Sequence, residues 1–358
     1  FYAGLVNSKN VVSVLMQHFA LACVVSVLWV ILGYSLAFSE GNEWIGGFSN
    51  IFMSAIGVDT PSGSIPESLF ATFQMTFAII TPALMIGAFV ERIKFSAMLI
   101  FLSMWLLIVY VPVTHWVWGG GILSSWGTMD FAGGIVVHAT AGTAALVTAL
   151  TLGKRRGFPK SITPPHSPIL TMIGASMLWI GWFGFNAGSA LGANGGAGMA
   201  MLVTHISAAT ASLVWMFIEW KRFGKPSLIG IVTGMVAGLA TVTPASGYIG
   251  VPGGLILGFF GGLLCYLAVD FIRGKLQIDD SLDVFAVHGV GGILGTLLVA
   301  FLATSTFSGL GLAEGQTAVS QFFIQLKAVI LTIVWTSLFT YLILKITSFI
   351  APLRVEEQ

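Results

Sequence analysis

Ten apolar stretches occupy most of this 358-residue chain, each near the roughly 20 residues that a helix needs to cross a bilayer. A segment in lipid must satisfy its own backbone hydrogen bonds, and an α-helix does so through local contacts alone. The pattern therefore predicts an all-α polytopic membrane protein. Its predicted spans are approximately 11–38, 66–90, 95–118, 131–153, 168–187, 198–219, 226–243, 251–272, 283–303 and 319–349.

The composition agrees with a membrane protein. Hydrophobic residues make up 56% of the chain and charged residues 8%, whereas soluble domains carry about 25% charged residues. The net charge of +1 creates no strong field that would attract nucleic acid. Because the stretches follow one another closely, we expect one transmembrane domain over residues 1–358. Cys23 and Cys265 lie within apolar stretches and are predicted to be buried structural thiols.

The basic residues predict the topology. Fourteen of the fifteen Lys and Arg residues fall on one predicted face, in alternate connections or near the two ends of the chain. The positive-inside rule makes that face cytoplasmic, with the protein in the plasma (inner) membrane. The exception is Lys327 in the last stretch, whose ammonium group is expected to snorkel to an interface. The connections of the other face, which contain no Lys or Arg, are 39–65, 119–130, 188–197, 244–250 and 304–318.

Two histidines, His138 and His288, lie inside uncharged, glycine-rich apolar segments. A titratable side chain at membrane depth is costly and usually marks a functional site. Counted from Asp130 and Asp283 at opposite faces, both fall near the predicted membrane centre. The segments DFAGGIVVHATAGTAAL and DVFAVHGVGGILGTLL are alike and run in opposite directions, which predicts an inverted repeat with a site near its midplane. The alternative is that each histidine satisfies a backbone carbonyl.

Aromatic residues are the next candidates. Phe73 and Phe77 share one helix face, and further aromatic residues lie beside glycine-rich breaks at the end of two other spans. Such a cluster at a pore mouth can hold a small cation by cation–π attraction, while an interfacial aromatic belt is the alternative. Asp130 is a cation ligand or, as we favour, a helix N-cap. The residues at the other span ends are Trp118, Trp182, Phe185 and Ser189.

These residues favour a pore for a small protonated base. An ammonium-like cation loses much hydration energy in a narrow apolar passage, whereas its neutral form crosses easily and Na⁺ or K⁺ cannot shed their charge. Paired imidazoles offer hydrogen bonds to the neutral base and a proton relay. Water or another neutral solute stays possible. Asp283 and Glu314 are expected to be too isolated for a carboxylate relay, and no metal cluster or catalytic motif predicts a cofactor or an enzyme.

Seven segments resemble, in order, the motifs of the ammonium transporter family (Amt/MEP, distantly Rh). They are FYAGLVNSKN, FVERIKFSA, YVPVTHWVWGGG, DFAGGIVVH, IGWFGFNAGSA, VTPASGYIG and DVFAVHGVGG. The resemblance implies eleven helices in two inverted five-helix halves, approximately 1–153 and 168–303, followed by a last long helix at 319–349. It also implies a homotrimer with one pore per subunit. The resemblance further implies that most of the first helix precedes this sequence, because FYAGLV resembles the end of one.

The resemblance also implies roles for single residues. Asp130 matches an aspartate that the family needs for structure and function, and Trp182 matches a pore-lining tryptophan. All the aromatic and serine residues of the family's outer ammonium-recruitment site are present, which favours the bacterial and archaeal Amt branch over Rh proteins. The outer ammonium-recruitment site would be Phe73, Phe77, Trp118 and Ser189, the gate Phe77 and Phe185, and the twin-histidine pair His138 and His288.

The implied function is ammonium transport for nitrogen uptake. Ammonium, or methylammonium as an analogue, would bind at the outer site and lose its proton, and ammonia would pass the histidines with or without a separate proton. The expected partners are membrane lipid, further subunits and, on the cytoplasmic face, a PII-type regulator or a fused signalling domain beyond Gln358. The alternative is an ammonium-sensing receptor with little or no transport.

Overall fold

The computed structural model describes residues 1–161 and 163–355, and its architecture is predominantly helical. Within these residues, nine helical segments are long and apolar enough to cross a membrane, and one shorter apolar helix accompanies them. The all-α polytopic prediction is confirmed. The segments are α1 Ser8–Phe38, α2 Glu67–Phe89, α3 Phe95–Ser125, α4 Gly134–Leu152, α5 Pro168–Gly188, α6 Gly195–Phe223, α7 Leu228–Val242, α8 Val251–Lys275, α9 Phe285–Leu302 and α10 Ala318–Ile350.

Helix ends follow local capping chemistry. Ser167 precedes α5, and its hydroxyl accepts a hydrogen bond from the backbone N–H of Leu170 at 3.2 Å. Helix α6 is followed by Gly224, whose φ of 76° is a left-handed conformation that glycine adopts without strain. Thr317 and Ser320 form a reciprocal capping box at the start of α10. The helices begin and end within four residues of the predicted limits, except that α3 continues to Ser125, beyond its predicted end at 118.

The connection between α1 and α2 contains the only strands that the described residues form. Strands β1, Pro61–Ser62, and β2, Ile65–Pro66, pair antiparallel, with Pro61 opposite Pro66. Short helical turns lie at Tyr2–Leu5, Ile51–Met53 and Ser305–Phe307.

Glycines let the helices approach closely. A Cβ atom on Gly258 of α8 would lie 2.5 Å from the carbonyl oxygen of Ser207 on α6. A Cβ atom on Gly142 of α4 would overlap the backbone of Gly289 on α9. Close backbone approach replaces the hydrophobic driving force that helices lack within lipid. The crossing at Gly142 and Gly289 also brings together the two helices that carry the candidate histidines.

Helices α4 and α9 begin in the same unusual way. Each opens with a π-helical turn, Gly134–Ala139 in α4 and Phe285–Gly289 in α9, and each turn contains one histidine, His138 or His288. Turns of this type are rare and frequently lie at functional sites.

An aspartate lies eight residues before each histidine and caps the helix that carries it. Asp280 accepts a hydrogen bond from the N–H of Phe285 at 2.7 Å. The likeness between the two histidine segments paired Asp130 with Asp283 instead, and this pairing was wrong. Asp283 adopts a φ of 58° and turns its carboxylate to Arg273, 2.9 Å away. The carboxylate of Asp130 accepts from the N–H groups of Gly133, Gly134, Ile135 and Val136 at 2.6–3.2 Å.

Ion pairs join the connections that carry the basic residues, at the end of the bundle that we call the basic face. Asp279 pairs with Arg155 at 2.9 Å and with the buried Arg92 at 3.5 Å. Burial lowers the pKa of Arg92 to about 10 although Asp279 opposes the shift. Burial also raises the pKa of Asp283 to about 7, because it outweighs the charge of nearby Arg273. The expected isolation of Asp283 was therefore wrong.

Two further expectations concern single side chains. Cys265 is buried as predicted, but Cys23 is exposed on α1, because its position in the helix turns it away from the packed interior. Lys327 lies on α10 with its ammonium nitrogen 3.5 Å from the ring centroid of Trp126, a cation–π contact on the opposite face from most of the basic residues.

Candidate functional site

The two histidines form a direct pair at the centre of the bundle. Their Nδ1 atoms are 3.3 Å apart, and the side chains are 0% and 4% exposed for His138 and His288. The contact requires one ring to donate its Nδ1–H and the other to accept. Because a neutral imidazole carries one N–H, the donor's Nε2 then has a free lone pair and the acceptor's Nε2 carries a hydrogen. The pair therefore presents one acceptor and one donor.

A glycine allows this approach. Gly292 lies one turn after His288 on α9, and a Cβ atom there would lie 2.5 Å from the Cβ atom of His138. A side chain at this position would push α4 and α9 apart and separate the rings. The short histidine contact therefore depends on residues outside the two π-helical turns.

Aromatic rings continue from His138 towards the opposite face. Trp182 and Phe185 of α5 lie nearly parallel to the His138 ring, with centroids 5.5 and 5.9 Å away and interplanar angles of 13°. The Nε1–H of Trp182 donates to the Thr243 hydroxyl at 2.9 Å, which holds the indole in this orientation. Phe185 then meets the ring of Phe77, 4.6 Å away.

The predicted recruitment residues cluster around Phe77. The ring of Phe77 has edge contacts with Phe73 at 4.9 Å and Trp118 at 5.5 Å. Phe77 is 1% exposed, whereas Phe73 and Trp118 are half-buried and form the rim. Ser189 is also half-buried and donates its hydroxyl hydrogen to the Phe185 carbonyl at 2.8 Å, so its oxygen lone pairs are left to accept. The structure thus places Phe73 and Trp118 both against Phe77.

Asp130 connects this rim to the histidine helix. Its backbone carbonyl accepts from the Nε1–H of Trp118 at 2.9 Å, while its carboxylate caps α4 as described above. A buried carboxylate that accepts four N–H groups has little capacity left for a cation. These are the contacts of a helix N-cap that also positions the rim.

A cavity lies between the histidine pair and the basic face. This cavity of about 130 Å³ reaches His288 from the basic face and is lined in part by Tyr2, Leu282 and Asp283. Sequence patterns gave no sign of it, because its walls come from segments almost 290 residues apart in the chain. Within the described residues, no group of three or more His, Cys, Asp or Glu side chains could hold a metal ion.

The chain is similar to known proteins over its whole length. The model of the Ammonium Transporter Family matches residues 1–358. The chain is 42% identical to an ammonium transporter of Bacillus subtilis and 44% identical to Ammonium transporter Amt1 of Archaeoglobus fulgidus; both matches span the whole chain and 89% of the relative.

Solved structures agree in fold. Saccharomyces cerevisiae Mep2 superposes with a TM-score of 0.87 at 36% identity, covering 99% of this chain and 85% of that one. A structure called Sensor Amt Protein superposes with a TM-score of 0.92 at 28% identity, covering 99% of this chain and 89% of that one.

Proposed function

We propose that this chain, which belongs to the ammonium transporter family, takes up ammonium at the aromatic rim and conducts ammonia past the histidine pair. The family comprises transporters rather than enzymes. The observation that carries the proposal is the buried contact between His138 and His288, at the inner end of a continuous column of aromatic rings.

The rim supports recruitment of a small cation. Phe73, Phe77 and Trp118 offer aromatic surface, and a cation over such a ring gains about 0.5–1 kcal/mol when exposed and about 2 kcal/mol when desolvated. The free lone pairs of Ser189 add a hydrogen-bond acceptor for an N–H group of ammonium. A cation without N–H donors would lack this hydrogen bond.

The column beneath the rim supports loss of the proton. Phe77 and Phe185 are packed 4.6 Å apart, so a cation that passed between them would leave its hydration behind. That cost is prohibitive for a charged solute and small for ammonia. Na⁺ and K⁺ have no neutral form to adopt, so the same passage excludes them.

The histidine pair supplies the polar contacts that an apolar passage lacks. One Nε2 accepts a hydrogen bond from ammonia and the other donates one to its lone pair. The Nε2 atom of His138 has no hydrogen-bond partner among the residues that the structure describes, so it is available to the solute. The shared Nδ1 hydrogen also offers a relay along which the released proton travels separately.

The setting that we propose follows the charge pattern. The basic face lies in the cytoplasm of a cell whose plasma membrane holds the protein, and three copies assemble, each with its own pore. In this proposal Asp130 holds the rim and the histidine helix together, and its contacts with Trp118 and Gly134 support that role. A PII-type regulator or a fused signalling domain is the proposed partner at the cytoplasmic face.

A receptor is the second candidate. The match to a structure called Sensor Amt Protein favours it, since the pore residues would serve binding as well as flux. Identity to that protein is 28%, against 42–44% to proteins named as transporters, so we favour transport.

Flux in proteoliposomes tests the proposal. We expect wild-type protein to carry ammonium or methylammonium, and His138→Ala to change the current or its selectivity against K⁺. His205→Ala is the matched control, because His205 is exposed and stacks on Trp179 rather than on the pair. Ammonium binding without current or internal pH change in the wild type would exclude transport and support the receptor. A pH-sensitive dye inside the vesicles distinguishes electroneutral ammonia passage from no transport.

A further inference from the structure

Gln325 is a buried amide two turns into the last long helix, on the face that packs against the rest of the bundle. It lies on α10 and is 0% exposed. A polar side chain at membrane depth is costly unless each of its groups is paired. Its partners therefore show what this side chain holds together.

The amide uses all its hydrogen-bonding groups. Its Oε1 accepts from the N–H of Met129 at 2.8 Å, and its Nε2 donates to the carbonyl of the same residue at 2.7 Å. The second Nε2 hydrogen goes to the carbonyl of Thr296 on α9, 2.9 Å away. The second lone pair of Oε1 accepts from Gln321 at 3.1 Å. A primary amide has two donors and two lone pairs, so none is left over.

These partners belong to the two halves of the proposed pore. Met129 directly precedes Asp130, which caps the helix of His138 and accepts from Trp118 at the rim. Thr296 lies two turns after His288 on the same helix. One side chain therefore links the rim and the His138 helix to the His288 helix.

We infer that Gln325 is a positioning residue for ammonium uptake: it holds Met129 against Thr296 and so keeps the rim tryptophan and the two histidines in register. This inference rests on the proposed function. Displacements of about 1 Å at groups that hold a substrate reduce rates by as much as about a hundredfold, so a small loss of register is measurable.

Gln321 provides a matched control one turn earlier on the same helix. It is 2% exposed and donates to the Gly127 carbonyl at 3.0 Å and to Gln325. Among the described residues, its side chain forms no hydrogen bond with Met129 or Thr296. The same substitution at the two positions removes a buried amide in both cases but breaks the link between pore halves only at 325.

The experiment compares Gln325→Met with Gln321→Met in the full-length protein. Saturable methylammonium uptake into proteoliposomes gives a half-saturation concentration and a maximal rate per folded protein. We expect Gln325→Met to raise the half-saturation concentration about tenfold and Gln321→Met about twofold or less, whereas both lower the unfolding temperature. Equal shifts in the two variants, or none at 325, would overturn the inference. Absence of uptake by the wild type would instead overturn the proposed function, and the inference with it.

A double-mutant cycle tests the route through Trp118. Trp118→Phe keeps an aromatic ring but loses the N–H that bonds to Asp130. If Gln325 acts through that contact, the combined variant shifts half-saturation less than the product of the single shifts. Multiplicative shifts would refute the route. Should Gln325→Met not fold, Gln325→Asn replaces it, since the amide is one methylene shorter and cannot keep all of these bonds but adds no buried charge, with an expected rise of about threefold.

Discussion

Replacing Asp130 with asparagine tests what the capping carboxylate contributes to stability. The carboxylate accepts four backbone N–H groups through two oxygens, two to each. An asparagine side chain has one oxygen and one NH₂ group of similar shape. It keeps two of the contacts and turns a donor towards the remaining two N–H groups. The perturbation is therefore a change of hydrogen-bonding capacity and charge without a change of volume.

The structure determines the size of the expected effect. Hydrogen bonds to charged groups contribute about 1.5–3 kcal/mol each, so two lost bonds reduce the free energy of unfolding by about 3–6 kcal/mol. Loss of the negative charge at the start of α4 adds up to about 2 kcal/mol. With an unfolding entropy of about 2.1 cal/mol/K per residue, the two lost bonds lower the unfolding temperature by about 4–8 °C.

The matched control is Asp280→Asn. Asp280 caps α9 through a bond from Phe285, and its other oxygen has no partner among the described residues. Asparagine can keep that contact by turning its oxygen to Phe285, so we expect a smaller loss of stability, about 1 kcal/mol.

Thermal unfolding in detergent and methylammonium uptake, measured on both variants and the wild type, provide the test. Asp130→Asn should unfold at clearly lower temperature than Asp280→Asn and lose uptake, because the start of the His138 helix is no longer held. Equal unfolding temperatures for Asp130→Asn and the wild type would refute the capping argument.

Three further outcomes are expected. Phe185→Ala should change ammonium conduction while subunit assembly, followed by size-exclusion chromatography, stays intact; unchanged conduction would count against the gate. Lys327→Met should lower the free energy of unfolding by about 0.5–1 kcal/mol through loss of the cation–π contact, and should have no such effect in a Trp126→Leu background. Burial raises the pKa of Asp283 to about 7, above its ordinary value of 3.8, so the native state binds more protons between these values. Wild-type stability relative to Asp283→Asn should therefore fall as pH rises from 5 to 8, and a constant difference in unfolding temperature would contradict this.

Local chemistry explains which features of the site were predictable. His138 and His288 stood out because an ionisable group in an apolar segment is costly, and Asp130 because an aspartate before an apolar helix is a good cap. Phe73 and Phe77 could be placed on one helix face from their spacing. Each of these inferences needs only residues within about two helical turns.

Other features depended on contacts between distant segments. The pairing of Asp130 with Asp283 was wrong because a left-handed residue at 283 turns that side chain away, and Asp280 caps the helix instead. Gln325 gave no signal at all in the sequence, since the backbone carbonyls that it joins lie 29 and 196 residues away.

The sequence by itself determined that the chain forms membrane helices, where they lie and which end carries the positive charge. The reason is that a backbone in lipid must bond to itself within a few residues, so apolar length and composition decide the outcome locally. Only the tertiary structure decided that two histidines 150 residues apart meet at 3.3 Å, with a glycine making room for them. Such contacts depend on the rotation and crossing of packed helices, which are determined by the sum of many weak side-chain contacts rather than by any local pattern.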